Sequence, residues 1–575
     1  MRASGFMQLA VLAVVATGAL PATASAQSPD AKVSVAGPPT PYLPNGVNEP
    51  ALAIDANHPA VLAAGANDLV DSAPCNGSSC DLTPDIGISG VYFSLNGGGS
   101  WVQPTYPHGL TAQTGTTHVG PIHTLPNYFE NGMSSHGDPA VAFGPRPGAN
   151  GRFSWGNGSR LYYANLTSNV GATRSEQAFR GFEAIAVSRT DDPQTASAGG
   201  PAGKAAWKPP VIISRQSSTT FSDKEQIWAD NASSSPFFGT VYVCWAAFVG
   251  QEKGNAAPAP LEVAVSHDGG STWKQHPISS AANNSQRNPL DGCTIRTDSR
   301  GTAYVFGVGT SVTGGRQPFE FMARSTNGGA NWSQPQPVAG PVSQPGAFDP
   351  VQGRPVIDGV AGARSDLAPA PSVDIANGAP TGEDATDRIV MSYVSGPLAT
   401  PHVYFTESTN RGASWLAPRA IERAGDRGFY AAPAISPNGT DVYVVYNAFT
   451  TPYQPTTATP RSLVGVVLHA DTGGSAPTGA FTELHRSPPG DPRGSSQNNL
   501  VGEFLGDYVY AAASRTYGAA VWNDVRNAAD CPAIDAYRQA LADGQNATAP
   551  APEQECPATF GNSDIFGGTY PDPTP

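Results

Sequence analysis

Residues 266–273 read SHDGGSTW, and the same spacing returns as SLNGGGSW at 94–101, STNGGANW at 325–332 and STNRGASW at 408–415. Each octet fits Ser-x-Asp/Asn-x-Gly-x-x-Trp and follows a short apolar run, VYF, LEVAV, FMA or VYF. These residue types specify a hairpin turn. An Asp or Asn side chain bonds backbone amides further along the turn, Gly supplies a positive φ, and Trp returns to cover the apolar edge of the two strands. One octet would be weak evidence, whereas four in one chain define a repeated hairpin. Asn96, Asp268, Asn327 and Asn410 are therefore read as turn formers, not as catalytic or metal-binding groups.

Around these turns runs a longer repeat, an inner strand pair followed by an outer pair. Inner pairs are read at residues 49–68, 138–148 with 159–167, 226–248, 293–309, 371–378 with 387–395, 432–449 and 506–527. The second unit inserts the Ala/Gly-rich ASAGGPAGKAA before Trp207. The sixth keeps Asp471-Thr472-Gly473 but loses both Ser and Trp, and the seventh finds its outer strand only at DIFGGTY near the C-terminus. Seven units from residue 40 onward give about 75 residues each, above the ~40–50 of a usual blade, with the excess in loops. Helical periodicity is confined to a short stretch around residues 533–541. The expected fold is all-β, a single β-propeller of four-stranded blades over residues 27–575, with seven blades favoured and six as the alternative if the last unit completes the first.

At this point the chain resembles the Asp-box, or bacterial neuraminidase repeat, β-propeller proteins, the superfamily that contains the sialidases. The resemblance implies a substrate carboxylate held by three arginines, a Tyr nucleophile with an adjacent Glu, and an Asp acid/base. The first arginine of that set stands in an Arg-Ile-Pro pattern on the first innermost strand, where this chain has Asn48-Glu49-Pro50. A carboxylate in place of a guanidinium repels an acidic sugar, which points to a related fold with different chemistry. Arg354-Pro355 is similar to the pattern but precedes the fifth unit, and Arg287, Arg364, Arg427 and Arg526 are scattered in loops.

The N-terminus reads as an export signal over residues 1–26: Arg2, the apolar LAVLAVVATGAL, and Ala24-Ser25-Ala26 before Gln27. No later run approaches the ~18 apolar residues of a membrane span, so a secreted protein is expected. Six cysteines in an exported chain suggest disulfides, and proximity pairs Cys75 with Cys80 and Cys531 with Cys556, leaving Cys244 with Cys293. A net charge of −14 disfavours nucleic acid and anionic membrane as partners. A monomer acting on a glycan or polysaccharide is expected.

In a propeller the innermost strands converge on the axis. Acidic residues mark five of their starts here: Glu49, Asp138, Asp223 with Glu225, Asp291, and Asp507 beside Tyr508. Converging carboxyls raise one another's pKa, as a glycosidase requires to keep one acid protonated beside an ionised partner. Asp138, Asp507, Glu49 and Tyr508 are the expected catalytic residues, and His136, Asp68, Asp524, Arg354 and Arg526 the expected substrate contacts. No cofactor is required, although the same ring of carboxylates could hold Ca²⁺. His108, His118, His123 and His136 fall within one loop and form a candidate lid, with no standard zinc spacing. The leading reading is a secreted glycoside hydrolase. The alternatives are an exo-sialidase, a polysaccharide lyase using His or Tyr as base, and a non-catalytic glycan-binding or adhesion propeller.

Overall fold

The computed structural model describes Met1 and residues 30–171, 175–249, 260–279, 290–311, 317–474 and 476–574. The expected export signal, apart from Met1, and Arg287 lie outside the described residues. The chain forms seven blades around one axis. The innermost strands are Val47–Ile54, Ala140–Pro147, Thr220–Ala229, Leu290–Thr297, Ser372–Ile375, Arg427–Ile435 and Tyr510–Ala513, and each packs against the next, the last against the first. Within a blade the strands run antiparallel, in sequence order from the axis outward except for the outermost strand of blade 7 and the extra strand Met133–Ser135 of blade 2. Blade 1 has three strands, its fourth position being a single bridge between Phe93 and Val102.

Ring closure uses a strand that the sequence pattern did not reveal. Ala31–Lys32 pairs with Asp564–Pro571 and becomes the outermost strand of blade 7, so both ends of the described chain share one sheet. The insertion before Trp207 forms two short helices, Pro193–Ser197 and Gly200–Ala206, and the helix expected near residue 533 is Pro532–Ala542.

Because every blade is covered on both faces, the middle strands are buried throughout instead of alternating. All nine residues of Asp441–Phe449 are buried, and Trp245 and Trp522 are fully enclosed. Disulfides join Cys75 to Cys80, Cys244 to Cys293 and Cys531 to Cys556, the second tying blade 3 to blade 4. All six cysteines are thus paired, as in proteins that fold under oxidising conditions. Among the described residues no helix is long and apolar enough to cross a membrane.

The four octets share one geometry. In each, the Ser hydroxyl bonds the Asp/Asn side chain at 2.8–3.0 Å and accepts the amide of the Gly four residues on at 2.8–2.9 Å. That Gly has φ between 77° and 85° in all four. The degenerate sixth turn has a different register from the expected one. Strand pairing places Ala470 opposite Val442, as Ser266 stands opposite Val241, so Thr472 rather than Asp471 occupies the Asp position.

Candidate active site

Four innermost strands begin with the same irregularity, two residues facing one across the pair: 49–50, 224–225, 292–293 and 429–430. In three of them, all but the Phe429 bulge of blade 6, the first residue adopts the left-handed conformation that favours glycine. Blade 4 obliges with Gly292 at φ 57°, but blades 1 and 3 place Glu49 at φ 56° and Lys224 at φ 64° there, and Asp138 opens blade 2 at φ 48°. A non-glycine residue in this region is strained by about 1–2 kcal/mol, and here three charged side chains accept that strain next to one another.

The result is an alternating charge cluster on the axis. Lys224 Nζ lies 3.0 Å from Asp138 Oδ2, 3.0 Å from Asp507 Oδ2 and 3.6 Å from Asp223 Oδ1. The Arg364 guanidinium donates to both Asp507 oxygens, at 3.0 and 2.5 Å, and to Glu49 Oε1 at 3.1 Å. Asn67 donates to Glu49 Oε2 at 2.6 Å while its own carbonyl oxygen accepts the Asp138 amide at 2.6 Å. Tyr430 donates to Asp507 Oδ1 at 3.0 Å, and the Tyr508 hydroxyl stands 3.4 Å from Asp138. Helix Pro532–Ala542 supports this through buried Arg538, which donates to the carbonyls of Arg493, Ser495, Leu500 and Gly502 and so fixes the loop that delivers Asp507.

Burial opposes every charge here, and the neighbours decide which survive. Lys224 and Arg364 overcome burial at Asp138 and Asp507 and hold both below the usual carboxylate range. Glu49 goes the other way: burial, reinforced by Asp138, pushes it well above its ordinary value. Burial, against the pull of Lys224 and with the push of Asp138 and Asp291, raises Asp223 to about 8. Glu225 is raised by burial, with Asp138 and Asp223 adding to it, and neither of its oxygens has a hydrogen-bond partner. Lys224 stays charged because Asp138 and Asp223 outweigh burial. Two cations therefore hold two carboxylates ionised, while Glu49, Asp223 and Glu225 are pushed towards their protonated forms. Burial also raises Tyr508, leaving a neutral phenol that can donate a hydrogen bond.

The opening is narrow. Side-chain exposure is 11% for Asp138 and Asp223 and 13% for Lys224, against 1% for Glu49 and 3% for Asp507. All four expected catalytic residues are thus brought together, two at the surface of the cluster and two beneath it. Among the expected substrate contacts, only His136 sits at its edge, paired with Glu183 at 2.8 Å and held above its ordinary value by Glu183 against burial. Asp68 is buried under Tyr92 and Gln103, Arg354 pairs with Asp366, and Arg526 pairs with Asp524 and Asp30 while lying on the Phe566 ring. The other histidines of the expected lid do not converge: His108 pairs with Glu130, His123 with Asp71, and His118 bonds the Thr116 carbonyl.

Lys224 was not singled out from the sequence, and Arg364, read as one of several arginines scattered in loops, reaches the axis. Lys224 hides inside an acidic run, Asp223-Lys224-Glu225, and only the bulge register shows that the middle residue points at the axis. With its ammonium already among the carboxylates, this cluster does not fit a bound Ca²⁺. One group of metal-ligand type lies elsewhere among the described residues, Asp441, His469, Asp471 and Asp572 at the turn end of blade 6.

No family model matches the chain, and no curated protein does. Among solved structures, the chain is similar to a Hadza microbial sialidase at 13% identity and a TM-score of 0.41, over 72% of this chain and 66% of that one. It is similar to the intramolecular trans-sialidase of Ruminococcus gnavus at 11% identity and a TM-score of 0.41, over 74% of this chain and 94% of that one. An α-L-arabinofuranosidase of Fusarium graminearum follows at 10% identity and a TM-score of 0.35, over 78% of this chain and 96% of that one. None of these likenesses assigns a role to a residue; the seven-bladed propeller stands on the strand pairing itself.

Proposed function

We propose that this protein is a secreted glycoside hydrolase acting on an extracellular glycan through Asp138 and Asp223. The observation that carries the reading is a pair of partly exposed carboxyls whose surroundings push them to opposite protonation states, Asp138 ionised and Asp223 raised to about 8. Glycosidic cleavage needs that division of labour: a protonated acid for the departing oxygen and an ionised partner for the anomeric carbon or a water. Asp223 is the acid and Asp138 the nucleophile or base. Lys224 keeps Asp138 charged, Arg364 clamps Asp507 and Glu49, and Tyr508 offers a hydrogen bond to a sugar oxygen or to Asp138.

Both carboxyls reach the same ammonium, so their nearer oxygens are at most about 6.6 Å apart, short of almost all of the ~6.5–9.5 Å range that leaves room for water in inverting enzymes. An exo-sialidase fits less well, because Arg364 is the sole guanidinium in the cluster among the described residues and is already committed to Asp507 and Glu49.

Incubation with a glycan panel should release reducing ends, the first product should keep its anomeric configuration by NMR, and Asp138→Asn and Asp223→Asn should each lower turnover at least ~10²-fold at a temperature where melting curves show the variant still folded. An absorbing unsaturated product would indicate a lyase, and retention without turnover a binding protein. Two variants as active as the parent would remove the reaction from this cluster.

A further inference from the structure

A polar belt lies on the axis between the charge cluster and a second cavity. Below the charge cluster, Arg296 donates to the Tyr510 hydroxyl at 3.0 Å and Tyr510 donates to Gln226 at 2.7 Å, a polar belt from blades 3, 4 and 7. On its far side, at the end where the octet turns lie, is a chamber of about 320 Å³ to which all seven innermost strands or their exits contribute. This chamber shares no acidic residue with the proposed active site.

Its walls are largely aliphatic and aromatic, with Leu52, Ile54, Phe143, Ile375 and Ile435 among them. Its rim is tied down. Asn377 bonds Asn231 at 2.7 Å, Trp155 donates to the carbonyls of Asn231 and Pro380 at 3.2 Å each, and Arg515 clasps Asp384 and the carbonyls of Gly378 and Ala379. The polar feature of the floor is Arg296, 5% exposed, stacked on Trp228 at 4.6 Å. Its Nε has no hydrogen-bond partner and stands 3.5 Å from Asp374 Oδ1, too far for a good bond, while Asp374 Oδ2 is satisfied by the Ile435 amide at 2.9 Å. A buried donor without a hydrogen bond thus lies beside a half-buried carboxylate oxygen at the end of an apolar chamber of ligand size.

We propose that this chamber is a second binding site, for a small neutral molecule with an apolar ring or short chain and one hydroxyl, such as a phenol or an aryl alcohol. A hydroxyl both accepts and donates, so it can take the Arg296 Nε proton and give its own to Asp374 without disturbing the charge balance of the pair. A carboxylate would face Asp374, an ammonium would face Arg296, and a sugar would strand its remaining hydroxyls on aliphatic walls.

The test is calorimetric titration of the full mature protein with 4-ethylphenol, ethylbenzene and 4-ethylbenzoate, together with quenching of tryptophan fluorescence by the same probes. The phenol should bind at one site, at least ~10-fold more tightly than either comparator, because one satisfied buried donor–acceptor pair is worth that much. Asp374→Ala, which removes the acceptor, should reduce the preference for the phenol over ethylbenzene. Ala512→Leu, which fills the chamber from blade 7, should abolish binding of all three, with melting temperatures recorded to show that both variants fold. No binding to the parent, tighter binding of the benzoate, or phenol affinity unchanged in Ala512→Leu would each overturn the proposal. Turnover on glycans tests the upper cluster separately and has no bearing on these outcomes.

Discussion

The two ends of the blades are built on opposite principles. At one end, four octets repeat the same side chains in the same bonds, mostly exposed and each complete within eight residues. At the other, four bulges repeat only a two-against-one register, and the first residues placed on it differ from blade to blade: Glu49, Lys224, Gly292 and Phe429, the first three with positive φ. A repeated side-chain pattern is the mark of a local structural task, since each turn must satisfy itself. A repeated backbone carrying unlike charges places complementary groups at one point on the axis. Strained, non-repeated and buried, the second set has the attributes of a functional site.

The comparison breaks first at Lys224. Lys224→Met leaves Asp138 and Asp507 with Arg364 as their remaining counter-charge, and removing one partner from a buried ionic cluster costs about 3–5 kcal/mol. The urea midpoint of the variant should fall accordingly, and adding Asp138→Asn should recover part of the loss, because the orphaned charge is then gone. A midpoint equal to the parent's would show that the cluster is solvated and carries no such interdependence.

That dependence explains what could be read from the chain alone. Octets and inner pairs are contiguous, so seven blades, the three disulfides and the acidic strand starts are legible in the sequence. The site residues Glu49, Asp138, Asp507 and Tyr508 were legible because each opens a strand that has to point at the axis. Lys224 and Arg364 were not. One is masked by the acids on either side, and the other reaches the axis from the long connection between blades 4 and 5, where no period places it. Asp68, Asp524 and Arg526 show the converse: second-strand ends turn their polar residues outward, to Tyr92, Trp522 and Phe566, as well as inward. Strand Ala31–Lys32 is too short to carry an alternation and is recognisable only by its pairing.

A second, smaller effect is a dependence on pH whose sign differs between the two ends. The folded-state pKa of Asp223, about 8, lies above the ordinary 3.8. Between those values the folded protein retains a proton that the unfolded chain has released, so its contribution to stability falls as pH rises across that window and levels off above it. Asp223→Asn should flatten this slope in melting temperatures taken from pH 5 to 9. Turnover should also decline as pH rises through about 8, when the proposed acid loses its proton. A parent and variant with parallel profiles would contradict the assignment of Asp223.

Asp268, in the octet of blade 3, should show the reverse sign and the smallest effect. Slight burial is outweighed by Thr272, whose hydroxyl and amide both bond the carboxylate, together with Ser266 and the Ser271 amide, so its pKa lies below 3.8. Its contribution is present above that value and lost as pH falls through the folded pKa. Asp268→Ala deletes acceptors for two turn amides that then bond water instead, which is worth about 1 kcal/mol. Asp268→Asn should be milder still, within about 0.5 kcal/mol, because Asn96, Asn327 and Asn410 accept the equivalent amides at 2.9–3.0 Å with a neutral oxygen. What the Asn variant loses is the acid-side pH dependence alone. Neither substitution should alter glycan turnover at a temperature where the fold is intact, since the turn touches no residue of the axial cluster. A turnover loss in Asp268→Asn without a fall in melting temperature would mean that the octets do more than close hairpins.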